Sequence, residues 1–159
     1  MTKRLKQSAG LLMYRGMRDA YEVFLVHPGG PYWSKKDEGA WTLPKGEYED
    51  GEELLGAAQR EFQEETGFIA SPPFIELGSV RQKSGKVAFA WAFEGDCDPA
   101  KLVSNTCEVE WPRRSEKRIV IPEVDRGAWF SHENAAIFIR EEQRPLLLRL
   151  EQQLRDRLK

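Results

Sequence analysis

Apolar positions fall in two rhythms along this chain. Near the start, Ser8 to Tyr14 and Tyr21 to His27 form nearly continuous or alternating apolar runs. They are joined by "RGMRDA", whose Gly and Asp suit a turn, so the pattern predicts a β-hairpin. A Gly- and Pro-rich stretch, "PGGPYWSKKDEGA", predicts a long loop before a short strand at "WTLP". The rhythm then becomes helical from Gly51 to Thr66, with Leu54, Leu55, Ala58, Phe62 and Thr66 on one stripe and Gly67 placed to end the helix. Two further strands follow at Phe74 to Gln82 and Lys86 to Glu94, linked by the compact "KSGK". Residues 95 to 115 are polar and predict a long connection. Strand-like "RIVI" and "AWF" come next, then a helix opened by Ser131 and Asn134 and running through Ile139. A last amphipathic helix, entered near Pro145, carries Leu146, Leu147, Leu150, Leu154 and Leu158.

Hairpins, one helix, more strands and two closing helices predict an α+β fold with helices on both sides of a mixed sheet. The 159 residues suit a single domain, residues 1–159, with a core of its own. A net charge of -2 gives no overall attraction to nucleic acid or anionic membrane, so an anionic substrate has to be bound locally. The local basic patch of Arg113, Arg114, Lys117 and Arg118 is the one place where RNA would be tested. Cys97 and Cys107 lack metal or disulfide spacing, and the apolar run near the start is too short for a signal or a membrane span. A cytosolic protein with free thiols is the expectation, with monomer and homodimer both open.

The segment "GEYEDGEELLGAAQREFQEETGF", residues 46 to 68, changes the picture. Five of its first eight residues are acidic, and Glu61, Glu64 and Glu65 follow. At 100° per residue these three lie at about 0°, 300° and 40°, on one narrow helix face beside the apolar stripe. Like charges at such spacing destabilise a helix, and partial burial adds to the cost. A divalent cation reverses it, and clustered carboxylates suit hard ions such as Mg²⁺ or Mn²⁺. The alternative, a solvated acidic face with local basic partners, is common among helices in general.

The spacing goes further than the face. Gly46, five residues, Glu52, seven residues, then Arg60-Glu61-Phe62-x-Glu64-Glu65-x-Gly67-Phe68 would coincide by chance with a probability on the order of one in ten million. This segment resembles, position for position, the Nudix box of the Nudix hydrolases, and the order of elements is compatible with that family's α/β/α sandwich. The resemblance implies hydrolysis of a nucleoside diphosphate linked to another moiety, with Mg²⁺ or Mn²⁺ as cofactor and a small nucleotide as substrate. It implies Glu61, Glu64 and Glu65 as metal ligands, Glu61 near the attacking water, and the Lys45 carbonyl completing a metal site. Arg60 would hold the glutamates, Glu52 would support them, and Gly46 would permit close backbone approach. A loop glutamate six residues before an aromatic serves as base in several members, and Glu123 stands six before Trp129. Glu108 and Glu110 are its rivals.

Substrate contacts are sought among Arg81, Lys83 and Lys86 for phosphate, and among Tyr32, Trp33 and Trp111 for a stacked base. Ordinary surface or packing roles are the alternative for each. His27 and His132 read as structural or exposed residues. The stretches "SAGLLMYR", "EVFLVHPGG", "WTLPKGE" and "KVAFAWAFEGD" are loosely similar to the branch that includes asymmetric diadenosine tetraphosphate hydrolases. Nucleotide sugars and ADP-ribose stay open as substrates. A non-catalytic nucleotide-binding relative would be expected to lose a box glutamate, and an RNA-processing one to carry a basic channel.

Overall fold

The computed structural model describes residues 7–16 and 20–157. The basic start at residues 1–6, the middle of the predicted turn at 17–19, and Leu158 lie outside the described residues. In chain order the elements are β1 (Ser8–Arg15), β2 (Glu22–Pro28), β3 (Lys45–Glu47), α1 (Leu54–Thr66), β4 (Ile75–Arg81) and β5 (Val87–Glu94). After them come β6 (Thr106–Glu110), β7 (Arg118–Pro122), β8 (Val124–Ser131), α2 (His132–Phe138) and α3 (Arg144–Asp156).

A mixed sheet runs in the order β4-β5-β1-β2-β8, with β3 added to β1, while β6 and β7 form a separate two-stranded ribbon. β1 is central and pairs in parallel with β5 from Ser8↔Ala88 to Tyr14↔Glu94. Its unbroken apolar run follows from burial on both faces, since successive strand side chains go to opposite sides. Leu11 and Met13 join Phe24, Val26, Ala57, Ala58 and Phe62 in the core under α1. Leu12 and Tyr14 join Val23, Leu25, Leu146 and Leu150 in the core under α3. The chain is thus α+β, with a mixed sheet between helices.

Several boundaries differ from the sequence expectation. The β1–β2 hairpin is paired at its closed end, Tyr14↔Val23 and Arg15↔Glu22. Beyond it the segment "WTLP" comes between the strands: Val26 N–H donates to Thr42 O at 2.9 Å and Leu11 N–H to Pro44 O at 3.1 Å. That segment makes isolated bridges, and the strand proper is β3, just after it. α1 begins at Leu54 and not at Gly51, because Gly51 has φ of 81° and Glu53 is extended. The predicted long connection holds a single 3-10 turn at Pro99–Lys101 and the strand β6. β6 pairs with β7 from Thr106↔Pro122 to Glu110↔Arg118.

Phe62 links α1 to the sheet. It is fully buried and packs edge-on against Phe93 with ring centroids 5.2 Å apart. Phe62→Ala is expected to cost about 3–5 kcal/mol of stability, read as a lower urea midpoint with an unchanged slope.

Candidate active site

α1 sets the first half of the site. Ala57, Ala58 and Phe62 bind it to the sheet, and this rotation carries Glu61 and Glu65 to the buried edge of the helix, 8% and 7% exposed. These glutamates occupy the C-terminal half of α1, where the helix dipole is negative and disfavours further negative charge. Close approach to β3 is built in, since a Cβ at Gly46 would collide with the Glu61 carboxylate.

Arg60 organises the acidic loop and helix together. Its Nε donates to Glu52 Oε2 at 2.8 Å and one Nη donates to Glu52 Oε1 at 2.9 Å. The other Nη donates to Glu61 Oε1 at 2.8 Å and to Glu64 Oε2 at 3.1 Å. Glu52 also accepts the Glu49 N–H at 3.0 Å. The Arg60 hydrogen bonds hold the Glu52 carboxyl down at about 2, and chiefly through Glu52 they push the Arg60 guanidinium up.

The second half of the site comes from the base of the ribbon. Glu123 lies between β7 and β8, its N–H donating to Asn105 O at 3.0 Å and its carbonyl accepting from Gly29 N–H at 3.0 Å. Carboxylate oxygens of Glu61, Glu65 and Glu123 all lie within 4.8 Å of one another. Burial raises the pKa of each; the neighbouring carboxylates Glu123 and Glu61 raise that of Glu65 further, to well above the ordinary range. At an effective dielectric of about 20, each ionised pair at this separation repels by roughly 3 kcal/mol, far more than an exposed helix pair. The Lys45 backbone also hydrogen-bonds the Glu65 carboxylate. Three hard oxygen donors drawn together, with a main-chain segment beside them, fit a divalent cation.

The structure thus joins Glu61, Glu65 and Glu123 and leaves Glu64 outside that group, half-buried on Arg60. Glu110 is spent elsewhere: at the far end of the ribbon its carboxylate accepts the Arg114 N–H at 2.6 Å. Glu108 is exposed in mid-ribbon. Arg81 and Lys83 are exposed at the β4–β5 turn, where Lys86 reaches Glu47 at 2.7 Å. Tyr32 and Trp33 meet edge to face at 5.0 Å. Tyr32 and Trp111 line a cleft of about 150 Å³ together with Gly29, Arg113 and Ile121. His27 is fully buried and structural, bridging Asp125 at 2.9 Å and the Lys36 carbonyl at 2.6 Å. His132 stacks on Tyr21 at 4.8 Å.

Asn105 escaped the sequence reading. Its N–H donates to the Glu64 carbonyl at 2.8 Å, and Val103 N–H donates to the Thr66 carbonyl at 3.0 Å, so the crossover segment satisfies the end of α1. With its amide nitrogen turned toward Glu123, Asn105 also donates to Glu123 Oε2 at 3.2 Å. Nothing in "VSNT" distinguishes Asn105 from an ordinary surface position.

Comparison with known proteins bears on the same features. The NUDIX domain model matches residues 4–150. Nudix hydrolase 25 of Arabidopsis thaliana is 54% identical over 39 residues, 24% of this chain and 22% of that protein. Nudix hydrolase 7 of the same plant is 35% identical over 65 residues, 41% of this chain and 22% of that protein. Each match therefore spans about a fifth of the curated relative. The NUDIX domain of Shewanella oneidensis NrtR, complexed with ADP ribose, superposes with a TM-score of 0.64 at 17% identity, covering 99% of this chain and 91% of that one. A C. elegans Ap4A hydrolase binary complex gives a TM-score of 0.64 at 20% identity, covering 94% and 99%. At those identities the superpositions speak for the fold, and with the matched domain and the helix carrying every box residue, the chain belongs to the NUDIX domain family.

Proposed function

We propose that this protein is a metal-dependent pyrophosphohydrolase acting on a nucleoside diphosphate linked to another moiety, with a nucleotide or dinucleoside polyphosphate as preferred substrate. The observation that carries the reading is the convergence of Glu61, Glu65 and Glu123 within 4.8 Å of one another. Glu61, Glu64 and Glu65, with the Lys45 carbonyl, would hold Mg²⁺, or Mn²⁺ in its place. Bound there, the cation neutralises phosphate charge and makes its water a stronger acid. Arg60 keeps Glu61 and Glu64 oriented through charged hydrogen bonds. Glu123 faces the helix glutamates from the ribbon and takes the proton of the attacking water. The water oxygen forms the new bond to phosphorus as the bridging P–O bond breaks.

The cleft beside Glu123 supports recognition of a ring. Ile121 lines it and stands two residues before Glu123, about 7 Å along an extended strand. Tyr32 and Trp111 offer faces for a base and Trp33 backs Tyr32. Arg81 and Lys83 are suited to the outer phosphates of a longer chain. The ADP-ribose complex of the NrtR domain favours an ADP-ribose or nucleotide-sugar substrate as the second reading. We take residues 1–159 as one working domain. The free thiols of Cys97 and Cys107 suit a cytosolic setting, and no helix among the described residues is long and apolar enough to cross a membrane.

A substrate panel tests the reading: nucleoside triphosphates, dinucleoside polyphosphates, ADP-ribose and nucleotide sugars, each with Mg²⁺ and with Mn²⁺, with products separated by chromatography. Pyrophosphate cleavage that EDTA abolishes is the expected result. Metal-independent turnover, or none on any member, would sink it.

A further inference from the structure

An exposed loop rests on a buried histidine. Residues 34–39, between β2 and β3, are exposed, yet the carbonyl of Lys36 lies 2.6 Å from Nε2 of the fully buried His27. The opposite ring nitrogen, Nδ1, lies 2.9 Å from Asp125 Oδ1 near the start of β8. A carbonyl oxygen only accepts, so Nε2 donates to it, and the ring spans from β8 to the loop. Trp41 packs edge-on against His27, with ring centroids 5.3 Å apart, and its Nε1 donates to Asp37 Oδ1 at 2.7 Å. The loop is thus gripped at two successive residues.

Lys36 passes that grip to the cleft. Its N–H donates to the Trp33 carbonyl at 2.9 Å, and its ammonium sits 3.6 Å from the centre of the Tyr32 ring, within the range of cation–π attraction. Tyr32 is half-exposed and lines the cleft with Trp111, Arg113 and Ile121. Contacts therefore run unbroken from Asp125 through His27 and Lys36 to one wall of the cleft.

We propose that His27 is a positioning residue for ring binding: by holding the Lys36 carbonyl it sets where the Tyr32 ring stands in the cleft, with Asp125 as its anchor. The assignment rests on the reading of that cleft given above and adds to it the residues that hold its wall. Folding alone does not call for this arrangement. A carbonyl in an exposed loop can be satisfied by water, and a buried polar pair can often be replaced by apolar residues with no loss of stability. Water does not fix a loop at one distance from the sheet, whereas a half-exposed ring already held in place has less freedom to lose on binding.

Double-mutant cycles test the chain of contacts. AMP and GMP serve as probes in EDTA, read by intrinsic tryptophan fluorescence, so that binding is measured without turnover. The tighter of the two should bind His27→Leu at least tenfold more weakly than the wild type. With Mg²⁺ and the preferred substrate of the panel, the same variant should raise KM by a similar factor while kcat stays within about threefold, the split left by lost uniform binding. In a Tyr32→Ala background, His27→Leu should cost less than about twofold more, since residues that act through one contact are not additive. Asp125→Ala, at a partly exposed side chain, carries the same cycle where His27→Leu fails to fold. It should weaken binding at least threefold, and Asp125→Asn, which can still accept from the ring, should recover most of that loss. Additive losses in the cycle, variants that bind as the wild type does, or wild-type protein that binds neither nucleotide would each overturn the assignment. A panel without hydrolysis would sink the pyrophosphohydrolase reading and leave the binding cycle standing.

Discussion

Glu123→Gln is expected to lower kcat by ~10²- to 10⁴-fold with KM nearly unchanged, the loss that follows removal of a general base. The substitution keeps the shape of the side chain and its hydrogen bonding to Asn105 within reach while removing the proton acceptor. Its backbone ties to Asn105 and Gly29 are untouched, so the ribbon stays in place. Glu108→Gln and Glu110→Gln are the controls. Both should change the rate by less than about threefold, because one side chain is exposed in mid-ribbon and the other closes the turn at Arg114. A large loss in Glu110→Gln with none in Glu123→Gln would move the base to the ribbon tip and defeat this assignment. Circular dichroism of all three should match the wild type.

Glu65→Gln should reduce kcat by more than about 100-fold, since even partners one layer behind a metal ligand cost 10–100-fold when lost. The same variant should be more stable than the wild type without metal. The sign follows from protonation: the Glu65 carboxyl is held well above the usual carboxylate range in the folded state, chiefly through burial and then through Glu123 and Glu61. Between the unfolded and the folded pKa the folded state binds more protons, so metal-free stability falls as pH rises through that window. Glu61 and Glu123 act in the same direction. The wild type in EDTA should therefore lose melting temperature from pH 5 upward, Glu65→Gln should lose less, and Mg²⁺ should restore the wild type alone. A Glu65→Gln protein with near wild-type turnover at saturating Mg²⁺, or with an unchanged melting profile, refutes the role. Glu64→Gln should also lose kcat strongly if Glu64 leaves Arg60 to serve as a ligand.

The parts of this fold legible in the sequence are those where one element faces a core. β1 reads as a strand because both its faces are buried, and α3 reads as a helix because Leu146, Leu147 and Leu150 return to one side. The ribbon was half missed. "TCEVE" alternates as a strand does, but its odd-numbered inward residues are only partly covered, so it lacks the apolar weight that separates a strand from a polar loop. Glu61, Glu64 and Glu65 were legible together because a single helix sets their spacing. Glu123 could be named only through resemblance, since β8 and the crossover bring it to α1 from the far half of the chain.

Among the described residues the ribbon pairs with no strand of the main sheet, yet its base is fastened to the end of α1 through Val103, Asn105 and Glu123. Its outer end, from Glu110 to Arg118, contributes Trp111 and Arg113 to the cleft and little to the core. If the cleft takes the substrate's ring as proposed, mutational drift at that tip would exchange the ring it accepts while leaving Glu123 and the helix carboxylates in register. Descendants of this chain can therefore diverge in diet without relearning the reaction, and a designer can recut the tip as a cassette.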